Sequence, residues 1–171
     1  GPNGSGKSTL LQVLSGGMQL NEGNGQWSID NKQLANEIVY NYVSICAPYL
    51  EVVEEMTLTE FLNFHSGFKP FLSSITTKKI ISILGLENAV NKQIRNYSSG
   101  MRQRVKLAQA IFSDVPVVLL DEPCTNLDTN GVELYKQLIE DYCQKRMVIV
   151  SSNDHHEYDF CNNRINITDW K

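Results

Sequence analysis

The chain has 171 residues, with 15 Lys and Arg against 19 Asp and Glu, a formal net charge of -4 and a pI near 5.4. One domain's worth of length, 42 % hydrophobic and 20 % charged residues and a mean hydropathy of -0.26 describe an ordinary globular chain and exclude disordered, collagen-like and membrane-embedded classes. The acidic balance is the wrong sign for a protein living on nucleic-acid phosphates, and the longest apolar runs, 117–120 and 147–150, fall far short of the roughly 20 residues a bilayer crossing needs.

In chain order, the opening Gly1-Pro2-Asn3-Gly4-Ser5-Gly6-Lys7-Ser8-Thr9 leads into a helix from about Lys7 through Leu10, Leu11, Val13 and Leu14. Asn21-Glu22-Gly23-Asn24-Gly25 is a turn signal, followed by strand-like stretches at 26–30 and 39–46. Thr57-Leu58-Thr59-Glu60 has the form of a capped helix start leading into Phe61, Leu62 and Phe64. An apolar helical spacing over 76–84 stops at Gly85, and a further helix is predicted over 101–112. The short apolar run Val117-Val118-Leu119-Leu120 reads as a parallel strand covered on both faces, 132–143 as a helix, and 147–150 as another buried strand. The pattern is α/β with a helical insert. The four cysteines, Cys46, Cys124, Cys143 and Cys161, form no C-x-x-C pair and no metal-ligand spacing, and read as reduced thiols.

Chemistry enters at the first nine residues, which match G-x-x-x-x-G-K-[ST]. In such a P-loop the glycines let the backbone curl so that successive N–H groups point at phosphate oxygens, and the following helix aims its positive end at the same anion. Gly1, Asn3, Gly4, Ser5, Gly6, Lys7, Ser8 and Thr9 are therefore candidate nucleotide-binding residues, with Lys7 charging the β- and γ-phosphates and Ser8 offering a hydroxyl to Mg²⁺. A glycine-rich linker is the plain alternative for the motif alone. A P-loop joins a strand to a helix, so a strand is expected before Gly1, and the sequence is expected to be a fragment with an apolar sheet edge where that strand belongs. The second site is Val117-Val118-Leu119-Leu120-Asp121-Glu122-Pro123, whose carboxylates fall at the C-terminal end of a strand, where open α/β sheets bind ligands. Paired with the P-loop it reads as a Walker B motif, with Asp121 holding Mg²⁺ and Glu122 taking a proton from the attacking water.

Between these sites lies Tyr97-Ser98-Ser99-Gly100-Met101-Arg102-Gln103-Arg104, which resembles the Leu-Ser-Gly-Gly-Gln signature of the ATP-binding cassette family and its following Arg-Gln-Arg. Thr125-Asn126-Leu127-Asp128 resembles that family's D-loop, so P-loop, signature, Walker B and D-loop occur in the family's order along the chain. The resemblance implies one ABC ATPase domain over 1–171 lacking its N-terminal strands, with a mainly parallel sheet and a helical signature subdomain at approximately 49–112 inserted in the P-loop core. It further implies a head-to-tail dimer with a second ABC ATPase subunit, in which Ser98 and Gly100 meet the ATP on the partner's P-loop. The implied protein is an ATPase (ATP and water to ADP and phosphate) with an integral membrane transporter subunit as partner, cytoplasmic and peripheral on the membrane, and with no nucleic acid expected.

Several positions depart from the family pattern. Laid without gaps against Met56-Thr57-Leu58, the family's Mg²⁺-contacting glutamine corresponds to Pro48, which has no side-chain ligand to offer. The family's γ-phosphate histidine corresponds to Asn153, which can hydrogen-bond a phosphate but carries no charge; His155 and His156 follow as possible substitutes or as exposed loop residues. Ser99 and Met101 replace the signature's Gly and Gln. These departures leave two alternatives beside a transport ATPase: a regulatory cassette that binds ATP with little hydrolysis, and a soluble cassette protein acting on ribosomes or DNA. Glu51, Glu54 and Glu55 form either a docking face for a membrane subunit or a solvated acidic loop; Phe61, Phe64, Phe68 and Phe71 read as helical core, and Arg102, Arg104 and Lys106 as the solvated side of the signature helix.

Overall fold

The computed structural model describes residues 2 and 4–170. The first helix, α1 (Lys7–Leu14), is followed by a hairpin of β1 (Trp27–Ile29) and β2 (Lys32–Leu34). Asp30 and Asn31 make its two-residue loop at φ 50 and 62, the left-handed backbone that matches strand twist in such loops. The Trp27 indole donates to Leu14 O at 3.1 Å, satisfying a carbonyl at the end of α1.

The strand expected over 39–46 is shorter than the pattern indicates: Asn36–Asn41 is a 3-10 turn and β3 is Val43–Cys46. Tyr42 N donates to Val39 O at 2.9 Å, closing the turn before pairing can begin, and the apolar Val39 is buried from that turn rather than from a strand. Three parallel strands follow in the order β3, β4 (Val117–Asp121), β5 (Met147–Ser151). Side chains alternate across the sheet. Leu119 joins Leu11, Val39 and Val43 under α1, while Val118 and Leu120 join the larger cluster on the opposite face. Covered on both sides, β4 can afford a continuous apolar run. Among the described residues β5 has no strand on its outer side, and Met147 at its start is 62 % exposed.

Between β3 and β4 run α2 (Leu58–Phe68), α3 (Thr77–Leu84) and α4 (Ser99–Ile111). Thr57 and Glu60 form the anticipated capping box on α2, Thr76 caps α3, and Gly85 at φ 66 ends it in a left-handed turn that costs a glycine little. Leu58, Phe61 and Leu62 are buried and Phe71 is partly buried, but Phe64 and Phe68 are 47 % and 76 % exposed, contrary to the core role expected of them. They sit together on the flank of the buried stripe at the C-terminal end of α2 and contact each other edge-on at 5.0 Å. Lys106 is corrected in the opposite sense. Its side chain is 10 % exposed because α4 is packed between β3 and the other helices, and its ammonium is met by Pro48 O at 3.2 Å and Glu51 at 3.7 Å. Arg102 and Arg104 do reach solvent in part, paired with Glu54 and Asp128. The helix α5 (Thr129–Tyr142), capped by Asp128, connects β4 to β5.

Candidate nucleotide-binding site

Gly4 and Gly6 take φ values of 76 and 100, which only glycine adopts without strain, and they bend the loop so that Ser5 N donates to Pro2 O at 3.2 Å. Gly6 is the N-cap of α1 and makes no side-chain cap hydrogen bond, and the positive end of the helix dipole lies at this loop. Lys7 Nζ donates to Pro2 O at 3.1 Å, folding its ammonium back over the loop. Ser5 is buried, its Oγ without a hydrogen-bond partner among the described residues, Ser8 is half-buried and Thr9 exposed. Gly1 and Asn3, also expected at this site, lie outside the described residues.

Leu11 of α1 packs on Leu119 of β4, so the P-loop helix lies on the strand that ends in Asp121. Asp121 is 2 % exposed and pairs in register with Ser151 of β5. Glu122 is half-buried, stands at φ 44 and donates its N–H to Ser151 O at 2.9 Å, turning the chain sharply off the strand. The P-loop helix, the two carboxylates and the segment leading to Asn153 thus share one sheet end. The donor set offers hard oxygens only, one buried carboxylate at Asp121 and one hydroxyl at Ser8, and among the described residues no cluster of three His, Cys, Asp or Glu could cage a metal. That suits Mg²⁺, which takes one or two protein ligands and completes its shell with phosphates and water.

The signature residues are tied to the turn beyond Glu122. Ser98 caps α4, its Oγ accepting from Met101 N at 3.2 Å. An added Cβ at Gly100 would stand 3.0 Å from Asn126 O, Gln103 Nε2 donates to Pro123 O at 2.7 Å, and Arg104 reaches Asp128 at 3.3 Å. The acidic loop lines a cavity of about 530 Å³ together with Pro48, Ser99, Arg102 and Lys106. Next to Pro48, the Tyr49 hydroxyl, pushed up by burial, hydrogen-bonds the Gln12 side chain of α1. Asn153 and both histidines are exposed; His155 Nε2 lies 3.0 Å from Arg164, whose guanidinium covers the Tyr158 ring.

Three residues at this end of the molecule escaped the sequence reading as site residues: Gln103, Lys106 and Glu157. Glu157 is 5 % exposed and its carboxylate accepts from Cys124 N at 2.7 Å. Their partners lie 20 to 58 residues away, beyond the reach of any local pattern; only the Arg102-Gln103-Arg104 motif gave a hint of the first. The thiols carry no nucleophilic chemistry: burial pushes both Cys46 and Cys124 up to about 12.

The sequence profile of the ABC transporter family matches residues 1–125. Among curated relatives, the uncharacterized ABC transporter ATP-binding proteins YhcH and YybJ of Bacillus subtilis (strain 168) are each 31 % identical. These matches cover 98 % and 92 % of this chain, and 55 % and 72 % of the relatives. ABC transporter A family member 11 of Dictyostelium discoideum is 31 % identical over 98 % of this chain and 20 % of its own length, so the chain spans about half, or far less, of the first of these relatives and of this one. Among solved structures, the dimeric ABC transporter cassette MJ0796 superposes with a TM-score of 0.72 at 24 % identity, over 93 % of this chain and 75 % of that one. A putative ABC transporter ATP-binding protein of Pyrococcus furiosus gives 0.72 at 22 % identity, over 90 % and 76 %. No helix among the described residues is long and apolar enough to cross a membrane. The chain belongs to the ABC transporter family and has the α/β P-loop fold of its ATP-binding cassettes, a mainly parallel sheet with a helical signature region.

Proposed function

We propose that this chain is the ATP-binding and ATP-hydrolysing part of an ABC transporter, with residues 49–112 as its helical subdomain. ATP-driven closure of a head-to-tail dimer with a second cassette would be coupled to transport by an integral membrane partner, which holds the protein at the cytoplasmic face. The observation that carries this reading is the shared sheet end: the start of α1 and the Asp121-Glu122 pair, with the signature helix fastened to the turn just beyond by Gln103. A solved relative of the same fold is described as a post-hydrolysis state bound to ADP and phosphate, which supports ATP as the ligand.

In this reading the backbone N–H groups of 4–9 and the Lys7 ammonium hold the β- and γ-phosphates, and Ser8 and Asp121 hold Mg²⁺, which offsets phosphate charge. Glu122 accepts a proton from a water as its oxygen attacks the γ-phosphorus in line, and ADP departs. Ser98 and Gly100 would address the γ-phosphate of the partner's ATP, and Asn153 the γ-phosphate of this chain's own ATP.

A second reading, a regulatory cassette that binds ATP and hardly hydrolyses it, is favoured by Pro48, which brings no side-chain ligand and whose carbonyl is occupied by Lys106. Phosphate release by the intact protein separates the two. We expect measurable release in the wild type, none in Glu122→Gln, and an ATP-bound dimer of that variant in gel filtration. Binding without release in the wild type selects the regulatory cassette, and continued hydrolysis in Glu122→Gln moves the base elsewhere.

A further inference from the structure

One peptide unit behind Glu122 is held at both of its polar ends. Its carbonyl, Pro123 O, accepts from Gln103 Nε2 at 2.7 Å, and its amide, Cys124 N, donates to Glu157 Oε1 at 2.7 Å. Both side chains are buried, at 4 % and 5 % exposure, and they come from opposite directions: Gln103 from the signature helix α4, Glu157 from the short turn four residues beyond Asn153. Glu157 is itself anchored, since the fully buried Tyr135 of α5 donates its hydroxyl to Glu157 O at 2.7 Å.

The residue one step before this peptide unit needs such holding. Glu122 is a non-glycine residue at φ 44, a backbone state that persists only when its surroundings over-determine it. Its own N–H goes to Ser151 O and its carbonyl accepts from Thr125 N at 3.1 Å; the clamped peptide fixes the turn between those two bonds. A residue that merely filled space at position 157 would be apolar. Instead the site keeps a buried carboxylate that burial, Asp154 and Glu122 push above the ordinary range, against the Ser152 hydroxyl and the Cys124 N–H that lower it. The charge of this carboxylate in turn helps raise the pKa of the Cys124 thiol, after burial.

We propose that Gln103 and Glu157 are positioning residues for hydrolysis, acting through the Pro123–Cys124 peptide to set where the Glu122 carboxylate stands. They make that position depend jointly on the signature helix and on the segment that carries Asn153. The proposal rests on Glu122 being the base.

The test uses the intact protein and four variants. Gln103→Met and Glu157→Ala each remove one end of the clamp; Glu157→Gln keeps an acceptor oxygen for Cys124 N–H without the charge; Glu122→Gln is the control. We expect kcat to fall at least tenfold in Gln103→Met and Glu157→Ala, with the Kd for Mg-ATP within about threefold of wild type, and Glu157→Gln to recover a third or more of wild-type turnover. Alkylation of Cys124 by iodoacetamide, located by mass spectrometry, should quicken in Glu157→Ala and Glu157→Gln, because the thiol loses the anion that helps hold its proton. Wild-type kcat in Gln103→Met alongside an inactive Glu122→Gln, with Glu157→Ala also at wild-type rate where it folds, overturns the clamp and leaves the base assignment standing. Turnover in Glu122→Gln overturns the base assignment and the proposal with it. Equal losses of affinity and kcat reduce Gln103 and Glu157 to structural residues and overturn the proposal.

Discussion

The ammonium of Lys106 lies 3.2 Å from the carbonyl oxygen of Pro48, the residue that the gapless reading of the sequence sets against the family's glutamine. A buried cation from the signature helix thus fastens the loop between the sheet and the helical region by its backbone, at a point where proline has removed the side-chain option. Hydrogen bonds to a charged group are worth about 1.5 to 3 kcal/mol, whereas the Glu51 partner is 70 % exposed and adds little. Lys106→Met preserves the packed stem and deletes the bond. We expect about 1 to 2 kcal/mol of destabilisation by urea unfolding, with Mg-ATP affinity within about twofold of wild type. A larger change in affinity than in stability would show that the lysine acts on nucleotide rather than on the loop.

In the function we propose, nucleotide binding depends on Lys7. Its side chain is folded onto Pro2 O and can swing to a phosphate by rotating within the flexible stem, exchanging a bond to a neutral carbonyl for charge-assisted ones. Lys7→Ala should weaken Mg-ATP at least tenfold in calorimetry. Unchanged affinity would dismiss the P-loop as the phosphate site.

How much of this was legible beforehand varied with the range of the interactions. The helix starts at Lys7 and Thr57, the stop at Gly85 and the apolar run of β4 are written in residues within a few positions of one another, and the structure follows them. The hairpin strand Lys32–Leu34 was missed because three residues carry no periodicity, and its only signal was the Asp30-Asn31 pair. Lys106 misled because a lysine following two arginines reads as a solvated face, and nothing near it in sequence announces the Pro48 carbonyl. The motif residues Ser8, Asp121 and Glu122 could be named from motif spacing and Ser98 from the family resemblance, yet the polar contacts behind Glu122 could not, since Gln103 and Glu157 reach the turn from distant segments.

Acid sensitivity follows from His65. Its Nε2 lies 3.0 Å from the buried Ser113 Oγ, and its ring stacks on Phe61 and Phe71. Burial first, and then the Lys69 charge, hold its pKa below the ordinary 6.5. The unfolded chain therefore takes up a proton near 6.5 while the folded one does not, so stability is fully present above that pH and is lost as pH falls through the depressed value. Glu157, raised by burial, works with the opposite sign over part of the range, so the informative quantity is a difference between variants. His65→Gln, which retains a partner for Ser113 but does not titrate, should lose less stability than wild type between pH 7 and 5 in urea titrations. Parallel curves would mean that His65 is protonated in the fold.

The last prediction concerns Gly100, two residues into the signature. A methyl group here would stand 3.0 Å from the Asn126 carbonyl, a backbone atom in a D-loop residue that is itself held at φ 64. Alanine favours a helix over glycine by about 1 kcal/mol, so Gly100→Ala strengthens α4 while pressing it against the loop, and the two effects oppose one another in overall stability. The function we propose sets them apart. The melting temperature should change little, and Mg-ATP affinity of the isolated subunit should hold, because the P-loop is untouched. The ATP-dependent dimer should weaken several-fold, because its two faces, the start of α4 and the D-loop, no longer fit each other as closely. Placing Gly100→Ala in the Glu122→Gln background makes this measurable by gel filtration, since that variant accumulates the dimer. A dimer of undiminished strength would leave Ser98 and Gly100 with no role beyond starting a helix.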